Sequence, residues 1–207
     1  MKAISDCFLY GILDGDYTPR EQACETVTKM LDGGIDILQL RAKNWSMDEI
    51  TQTARAIHPL SEAAGVPLII NDYPEIARDI GAEGVHVGQD DLSVKEVREM
   101  LGSKILLGLS THSVAQAQGA ATQDVDYIGF GPLFSTATKP DYQPIGTKEI
   151  ARVHQENPHL PVFCIGGIKQ QNAAAVLEAG ARRLVVVSGI LQAADIGAYT
   201  RQLKSLL

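Results

Sequence analysis

Apolar residues recur in eight short runs along the chain, and a polar or glycine-rich segment follows almost every one of them. The runs are β-branched or apolar almost throughout, as expected for strands that are buried on both faces of a sheet. Between the runs lie segments with the apolar spacing of helices, including Glu21–Leu31 and Ala173–Leu177. We therefore predict eight strands, at Phe8–Leu13, Ile35–Arg41, Pro67–Asn71, Gly84–Gly88, Lys104–Leu109, Val125–Phe130, Pro161–Ile165 and Arg183–Val187.

Capping motifs mark helix starts between these strands. Motifs of the form S/T-x-x-E/Q begin at Thr18, Ser46, Ser93 and Ser113. Eight strands that alternate with helices predict a closed (β/α)₈ barrel, a TIM barrel, as a single domain over residues 1–207. The alternative is an open doubly wound sheet, in which polar strand ends gather at one switch point. The barrel is favoured because polar strand ends run through all eight predicted units.

Composition and charge limit the classes of partner. The chain is 45% hydrophobic and 21% charged, with a net charge of −7 and no run of Lys or Arg. This balance argues against nucleic acid or an anionic membrane as the main partner. Three cysteines without C-x-x-C spacing, and an N-terminus without an apolar signal core, lead us to expect a cytoplasmic protein. No apolar stretch reaches the roughly 20 residues that span a bilayer, and a homo-oligomer is compatible with the sequence.

Two basic side chains end the second predicted strand. Arg41 and Lys43 alternate with Leu40 and Ala42, and a charge at the end of a buried strand is costly unless it meets an opposite charge. One interpretation is a site for an oxyanion or pyrophosphate. The other is an ion pair with a neighbouring acid at the barrel rim, and these residues alone favour neither. Gln39 points to the same side as Arg41 and could bind an uncharged part of a ligand or belong to a polar core layer.

Acidic residues follow the third and fourth predicted strands. Asp72, with Glu75 three residues later, fits a helix N-cap, and Asp90-Asp91 could be a solvated loop pair. However, Asp72 and one of these two aspartates would lie at adjacent strand ends, where two carboxylates can hold Mg²⁺. A magnesium site also explains why both signs of charge occur in one small region.

Glycines after the last two strands predict a phosphate site. The segment Ile165-Gly166-Gly167-Ile168 precedes a helix, and Val187-Ser188-Gly189 occupies the same place one unit later. Backbone N–H groups of these two loops form the phosphate cup of many (β/α)₈ enzymes, whereas the alternative is plain turn glycines. Phosphate binding is favoured because both loops occur where such cups form, after the seventh and eighth predicted strands.

The longest predicted loop follows the sixth strand, at Gly131–Gly146. Its Thr136, Thr138 and Lys139 supply hydroxyl groups and an ammonium group that can reach across the barrel mouth. The alternative is a solvated polar loop.

Serine and histidine residues near the middle strands do not indicate a hydrolase. Ser110 and His112 occur without a G-x-S-x-G elbow and without an obvious acid partner. His86 falls within an apolar run and is interpreted as a histidine of the barrel interior rather than as a metal ligand.

Ordered motifs with compatible spacing extend over nearly the whole chain. They are Gln39-Leu40-Arg41-Ala42-Lys43, Ile70-Asn71-Asp72, Gly84-Val85-His86-Val87-Gly88-Gln89-Asp90-Asp91-Leu92, Gly108-Leu109-Ser110-Thr111-His112-Ser113, Asp126-Tyr127-Ile128-Gly129-Phe130-Gly131-Pro132, Thr136-Ala137-Thr138-Lys139-Pro140, Ile165-Gly166-Gly167-Ile168 and Val187-Ser188. In this order they resemble the thiamine-phosphate synthase family. One departure is Ala42, which stands where the family often has an acid and whose side chain is not expected to contact substrate.

The resemblance implies a transferase reaction. Hydroxymethylpyrimidine diphosphate is joined to a thiazole-ethyl phosphate, which gives thiamine phosphate and pyrophosphate, and CO₂ as well if the thiazole carries a carboxylate. The residues that would contact the pyrimidine diphosphate are Gln39, Arg41, Lys43, Asn71, Ser110 and Lys139. Those that would bind the thiazole phosphate are Thr136, Thr138, Gly167, Val187 and Ser188. The substrate-binding set implied by the motifs is Gln39, Leu40, Arg41, Ala42, Lys43, Asn71, Ser110, Thr136, Ala137, Thr138, Lys139, Gly167, Val187 and Ser188.

The resemblance also implies a cofactor and a mechanism. Asp72 and Asp91 would bind Mg²⁺, and the catalytic residues would be Arg41, Lys43, Ser110 and Lys139. In the family the pyrimidine is thought to ionise first, after which the thiazole nitrogen attacks its methylene cation. Such a step needs fixed positive charge on the leaving pyrophosphate and little general base.

Three alternatives would use part of the same residue set. A thiazole tautomerase of the same fold needs no magnesium acids, and a phosphosugar isomerase or epimerase would use only the predicted phosphate cup. A non-catalytic barrel that binds thiamine phosphate would bind ligand without turnover. The joint presence of Arg41, Lys43, Asp72 and Asp91 favours the synthase over all three.

Overall fold

The eight predicted strands form a closed barrel. In the computed structural model, which describes residues 2–136 and 143–207, the strands are parallel and lie in sequential order, with the last paired to the first. The strands are β1 (Leu9–Asp14), β2 (Ile37–Arg41), β3 (Leu68–Asn71), β4 (Gly84–Val87), β5 (Leu106–Thr111), β6 (Tyr127–Phe130), β7 (Val162–Cys164) and β8 (Leu184–Val186). The helices are α1 (Ala23–Asp32), α2 (Met47–Ala63), α3 (Pro74–Ile80), α4 (Val94–Leu101), α5 (Val114–Ala120), α6 (Ile150–Glu156), α7 (Gln170–Glu178), α8 (Ser188–Leu191) and α9 (Ile196–Lys204). The prediction of a TIM barrel is confirmed.

Strand residues alternate between two apolar clusters, as the continuous hydrophobic runs predict. In β1, Leu9 and Leu13 belong to the larger cluster, to which the helices also contribute. Tyr10 and Ile12 belong to a smaller cluster inside the barrel. Because successive side chains of a strand point to opposite faces, both clusters are filled by the same short segments. The inner cluster supports whatever lies at the ends of the strands.

Two predicted helix starts carry complete capping boxes. The Ser46 hydroxyl oxygen accepts a hydrogen bond from the Glu49 backbone N–H at 3.3 Å, and Glu49 accepts one from the Ser46 N–H at 2.9 Å. Ser93 and Glu96 make the same reciprocal pair ahead of α4. These helices therefore begin where their sequence motifs predict.

Two other predicted caps differ from the structure. The cap at Thr18 is wrong, because a 3₁₀ turn at Arg20–Gln22 intervenes and α1 begins only at Ala23. Ser113 does accept from the Gln116 N–H, but the Gln116 side chain accepts from the backbone N–H of His112 instead of Ser113. Only half of a capping box forms there.

The N-cap interpretation of Asp72 is also wrong. Helix α3 begins at Pro74 with Tyr73 in the N-cap position, and Asp72 precedes both with a left-handed φ of +66°. Its backbone N–H donates to the carbonyl oxygen of His86 at 2.9 Å, which ties this residue to the neighbouring strand. The carboxylate is thereby committed to the barrel rim and not to a helix start.

Strand β5 ends two residues later than predicted. Ser110 and Thr111 pair with Gly129 and Phe130 of β6, so both belong to the sheet. Ser110 consequently occupies a fixed strand position at the barrel rim instead of a loop. Within the described ranges, no helix is both long and apolar enough to cross a bilayer.

Candidate active site

An open cavity lies at the carboxyl ends of the strands. Apolar side chains from the barrel interior form its floor, among them Ile12, Phe163 and Val185. Residues predicted to bind substrate line its walls. They are Gln39, Arg41, Asn71, Ser110, Thr136, Gly167, Val187 and Ser188. The fold thus brings together segments that are distant in sequence.

Arg41 lies at the cavity and is paired with a buried acid. Its side chain is 8% exposed, and Nη1 donates to Oδ2 of the fully buried Asp14 at 2.5 Å. Asp16 lies further away, at 3.9 Å. The ion pair that the sequence left open as one interpretation of Arg41 is therefore present, and anion binding stays a prediction. A guanidinium has five N–H donors, so a pair with Asp14 through one nitrogen is compatible with anion binding by the others.

Lys43 and two acids form a second charged group at the rim. The Lys43 Nζ lies 3.2 Å from Oδ2 of Asp72. Burial, together with the negative charge of the neighbouring Asp91, raises the pKa of Asp72 above its ordinary value, and Lys43 opposes this rise. The backbone N–H of Gly88 donates to Asp91 at 2.7 Å and holds that carboxylate in place. Two carboxylates are consequently held close together, and Lys43 is the cation beside them in the part of the chain that the structure describes.

This pair of carboxylates fits a magnesium ion. The described residues contain no group of three or more His, Cys, Asp or Glu that could hold a metal. Mg²⁺ commonly binds one or two carboxylates, keeps several waters and takes substrate phosphates as further ligands. A divalent cation would also offset the repulsion from Asp91 that raises the pKa of Asp72. Asp72 and Asp91 could thus supply two carboxylate ligands, and waters and substrate phosphate would have to supply the others.

The glycine loops follow β7 and β8, whereas the charged residues Lys43, Asp72 and Asp91 follow β2, β3 and β4. Gly166 and Gly167 have φ values of +100° and +66°. A Cβ atom on Gly166 would lie 2.4 Å from Cα of Pro132, and one on Gly167 would lie 2.7 Å from Cβ of Phe134. The loops after β6 and β7 are therefore packed backbone against backbone. Helix α8 starts at Ser188, so its first-turn N–H groups lie at the same rim.

Some predicted site residues are placed differently. The side chains of Leu40 and Ala42 belong to the cluster between strands and helices, because they alternate with Gln39, Arg41 and Lys43. A contact from either to a ligand would have to use the backbone. Ala137, Thr138 and Lys139 lie outside the described residues.

Comparison with known proteins assigns the family. A family model described as thiamine monophosphate synthase matches residues 9–190. A thiamine-phosphate synthase from Pelotomaculum thermopropionicum is 38% identical over 208 aligned positions, which cover 100% of this chain and 95% of the relative. One from Lawsonia intracellularis is 40% identical over 203 positions, which cover 98% and 93%. The chain belongs to the thiamine monophosphate synthase family.

Solved structures agree with this assignment. A thiamine phosphate pyrophosphorylase from Pyrococcus furiosus matches with a TM-score of 0.90 at 27% identity, covering 99% of this chain and 97% of that one. A 3-hexulose-6-phosphate synthase from Salmonella typhimurium matches with a TM-score of 0.75 at 17% identity, covering 97% and 98%, and shares the fold alone. As a member of the thiamine monophosphate synthase family, the protein is a transferase that forms thiamine phosphate from small-molecule substrates.

Sequence reasoning missed several polar residues of this synthase site, among them Asp14, Tyr10 and Tyr127. Asp14, which pairs with Arg41, ends β1 one residue beyond the predicted strand. Its position as a polar residue at a strand end is the signal that could have found it. Tyr10 and Tyr127 line the cavity from within apolar runs, where nothing in the local pattern separates them from core residues.

Proposed function

We propose that two anion-binding regions of the cavity hold the two substrates of thiamine-phosphate synthesis side by side. The observation that carries this proposal is that one cavity is lined both by Arg41 and by Gly167 and Ser188. A cation at a buried strand end suits a diphosphate, and glycine loops after β7 and β8 suit a phosphate monoester. Each substrate of the family reaction carries one of these groups.

The pyrimidine diphosphate belongs at the β2–β5 side of the barrel. Arg41 and Lys43 would bind its diphosphate, and Lys139 is proposed to join them from the loop after β6. Asn71, Ser110 and Gln39 would contact the rest of the molecule, because all three line the cavity. Asp72 and Asp91 would hold Mg²⁺, which when bound supplies further positive charge to the leaving diphosphate.

The thiazole phosphate belongs at the β7–β8 side. Backbone N–H groups of Gly167 and Ser188 would bind its phosphate, with the Thr136 hydroxyl nearby and Thr138 proposed to contribute as well. Holding the phosphate there places the thiazole nitrogen next to the pyrimidine and makes the reaction effectively intramolecular.

The bond changes then need little proton transfer. The C–O bond between the pyrimidine methylene and the diphosphate breaks, and its electron pair leaves on the diphosphate oxygen. The lone pair of the thiazole nitrogen forms the new C–N bond. Fixed charge from Arg41 and Lys43 stabilises the leaving group, and the apolar floor formed by Phe163, Ile165 and Val185 keeps water from the methylene cation.

A coupling assay on the purified, metal-free protein tests this proposal. Hydroxymethylpyrimidine diphosphate and thiazole phosphate are mixed with and without Mg²⁺, and both thiamine phosphate and pyrophosphate are measured. We expect equal amounts of the two products and a strong dependence on Mg²⁺. Equal turnover in a chelator would contradict the metal role, and binding of thiazole phosphate without product would favour a tautomerase or a binding protein.

Changing Gly167 to Ala should weaken binding of the thiazole phosphate. Its φ of +66° and the 2.7 Å approach to Phe134 mean that a Cβ atom must displace the loop. We expect the KM for thiazole phosphate to rise by roughly tenfold or more, since small displacements are costly in such sites. The KM for the pyrimidine diphosphate should change much less. Steady-state kinetics with each substrate varied in turn measures both.

Gly81→Ala is the matched control for that variant. Gly81 also has a left-handed φ, +72°, but a Cβ atom there meets nothing within 4 Å. Both variants should lose about 1–2 kcal/mol of unfolding free energy from backbone strain, and only Gly167→Ala should change KM. An equal change of KM in both would mean that strain, and not the phosphate site, causes the effect.

The cytoplasmic location stays a prediction.

A further inference from the structure

A row of five side chains joined by hydrogen bonds crosses the barrel interior, and all five side chains line the cavity. The Gln39 Nε2 donates to the Tyr10 hydroxyl at 2.6 Å, and the Tyr10 and Tyr127 hydroxyl oxygens lie 3.0 Å apart. The Tyr127 hydroxyl lies 3.2 Å from Nδ1 of His86, and Nε2 of His86 lies 2.9 Å from the Ser110 hydroxyl. We call these five side chains the polar row. Its two ends, Gln39 and Ser110, line the cavity from the non-adjacent strands β2 and β5.

The barrel interior is shaped around the polar row. A Cβ atom on Gly108 would lie 2.2 Å from Cζ of Tyr127 and 2.4 Å from Nδ1 of His86, so these rings occupy the space of a missing side chain. The ring of Phe163 contacts Tyr10 and Tyr127 edge-on, with centroids 5.6 and 5.5 Å away. Buried hydroxyl groups are costly unless they are bonded, and here both tyrosine hydroxyls are bonded on two sides.

The polar row has a direction, because each member must donate to the next. Burial raises the pKa of the Tyr10 and Tyr127 hydroxyls above the ordinary value, so both remain neutral O–H groups. With Gln39 donating to Tyr10, the hydroxyl protons point onward to Nδ1 of His86, and Nε2–H of His86 donates to Ser110. The Ser110 hydroxyl then donates to the cavity.

The opposite direction requires the Gln39 amide to turn over, so that its oxygen replaces Nε2 beside the Tyr10 hydroxyl. Ser110 then donates to Nε2 of His86, Nδ1–H donates to Tyr127, and Tyr10 donates to the amide oxygen of Gln39. In this direction Ser110 presents an acceptor to the cavity and Gln39 presents N–H groups. A change of direction therefore changes the hydrogen-bonding character of both ends together.

We infer that Tyr10 and Tyr127 are positioning residues that, through His86, make Gln39 and Ser110 recognise the pyrimidine ring as one unit. This inference rests on the proposed function, in which Gln39 and Ser110 contact the pyrimidine. An aminopyrimidine has a fixed pattern of amino donors and ring-nitrogen acceptors, so it pairs fully with one direction only. A ring with the reversed pattern meets a mismatch at both ends, because neither end can change alone.

A double-mutant cycle tests the coupling between the two ends. Gln39→Ala, Ser110→Ala and the double variant are compared by kcat/KM for the pyrimidine diphosphate, first in the natural chain and then with Tyr127→Phe. In the natural chain, we expect the fold-decrease in kcat/KM of the double variant to be about five times smaller than the product of the two single fold-decreases, as in other bonded networks. With Tyr127→Phe the losses should multiply to within about twofold. Tyr127→Phe should leave the KM for thiazole phosphate unchanged.

Two further variants keep the test decisive. Tyr10→Phe breaks the polar row at a second place and should abolish the coupling in the same way. It provides the same test if Tyr127→Phe folds poorly. Thr200→Val is the matched control, since Thr200 is buried in α9 and its hydroxyl donates to the Ile196 carbonyl at 2.7 Å, away from the cavity. It should leave the kinetics and the coupling unchanged.

The outcomes separate this inference from the proposed function. If both single variants lower kcat/KM but their fold-decreases multiply in the natural chain, the coupling is refuted while the pyrimidine contacts stand. Coupling that persists in both tyrosine variants also refutes a role for the tyrosines. If neither Gln39→Ala nor Ser110→Ala changes kcat/KM, the proposed pyrimidine contacts are wrong and the inference falls with them.

Discussion

Replacing Asp72 or Asp91 by Asn should lower turnover by about 100-fold or more while the barrel stays folded. A bound Mg²⁺ contributes several kcal/mol of charge stabilisation, and each 1.36 kcal/mol changes a rate about tenfold. Asn suits position 72 because it tolerates the left-handed φ of +66°. Turnover measured over a range of Mg²⁺ concentrations, with circular dichroism of the same samples, tests the prediction.

Thermal unfolding provides an independent measure of the same site. The raised pKa of Asp72 means that its ionised form is disfavoured in the metal-free fold, so Asp72→Asn should not lower the metal-free Tm. Mg²⁺ should raise the Tm of the natural protein through binding to the folded state, and it should not raise the Tm of the variant.

Asp90→Asn is the control for the two magnesium variants. It removes the same charge from the same loop, but Asp90 is not among the groups that shift the pKa of Asp72 and is not assigned to the metal. We expect nearly unchanged turnover and an unchanged response to Mg²⁺. Near-normal turnover of folded Asp72→Asn or Asp91→Asn in excess Mg²⁺ would show that these carboxylates are not the metal ligands.

Replacing Arg41 by Met should lower both stability and turnover, for two different reasons. The variant leaves the fully buried carboxylate of Asp14 without its 2.5 Å partner, which should cost about 3–5 kcal/mol of unfolding free energy. It also removes the cation from the diphosphate side of the cavity, which should lower kcat by about 100-fold or more. Denaturant unfolding and steady-state kinetics measure the two effects separately.

The double variant Arg41→Met/Asp14→Asn distinguishes these causes. Removing the second charge leaves no ionised group buried at the pair, so most of the lost stability should return. Turnover should stay as low as in Arg41→Met, because the diphosphate still lacks its cation. If the double variant recovered both stability and turnover, Arg41 would have only a structural role in the ion pair and none in binding the diphosphate.

The barrel could be predicted because its determinants are local. Continuous apolar runs of strand length can be read from the chain itself, and Ser46 and Ser93 make their capping boxes with residues only three positions away. Two failures were local, because a 3₁₀ turn replaced the cap at Thr18 and the Gln116 side chain bonded to His112 instead of Ser113. At Asp72, the bond from its backbone to His86 of β4 and the left-handed φ override an N-cap pattern that is locally sound.

The sequence by itself determined the fold class, the family resemblance and eight of the residues that line the cavity. Parallel strands in a barrel all end at one rim, so a polar residue at a strand end is already placed by its position in the chain. For this reason Arg41, Asn71 and Ser110 could be assigned to one cavity without coordinates.

Only the tertiary structure decided which of these residues touch each other. Arg41 is paired with Asp14, Lys43 with Asp72, and Tyr10 with Tyr127, which lies 117 positions further along the chain. Such pairings depend on strand register and side-chain direction across the barrel, and no local pattern encodes either. The polar row is the clearest case, because its tyrosines have the local signature of core residues and acquire their hydrogen bonds only when the barrel closes.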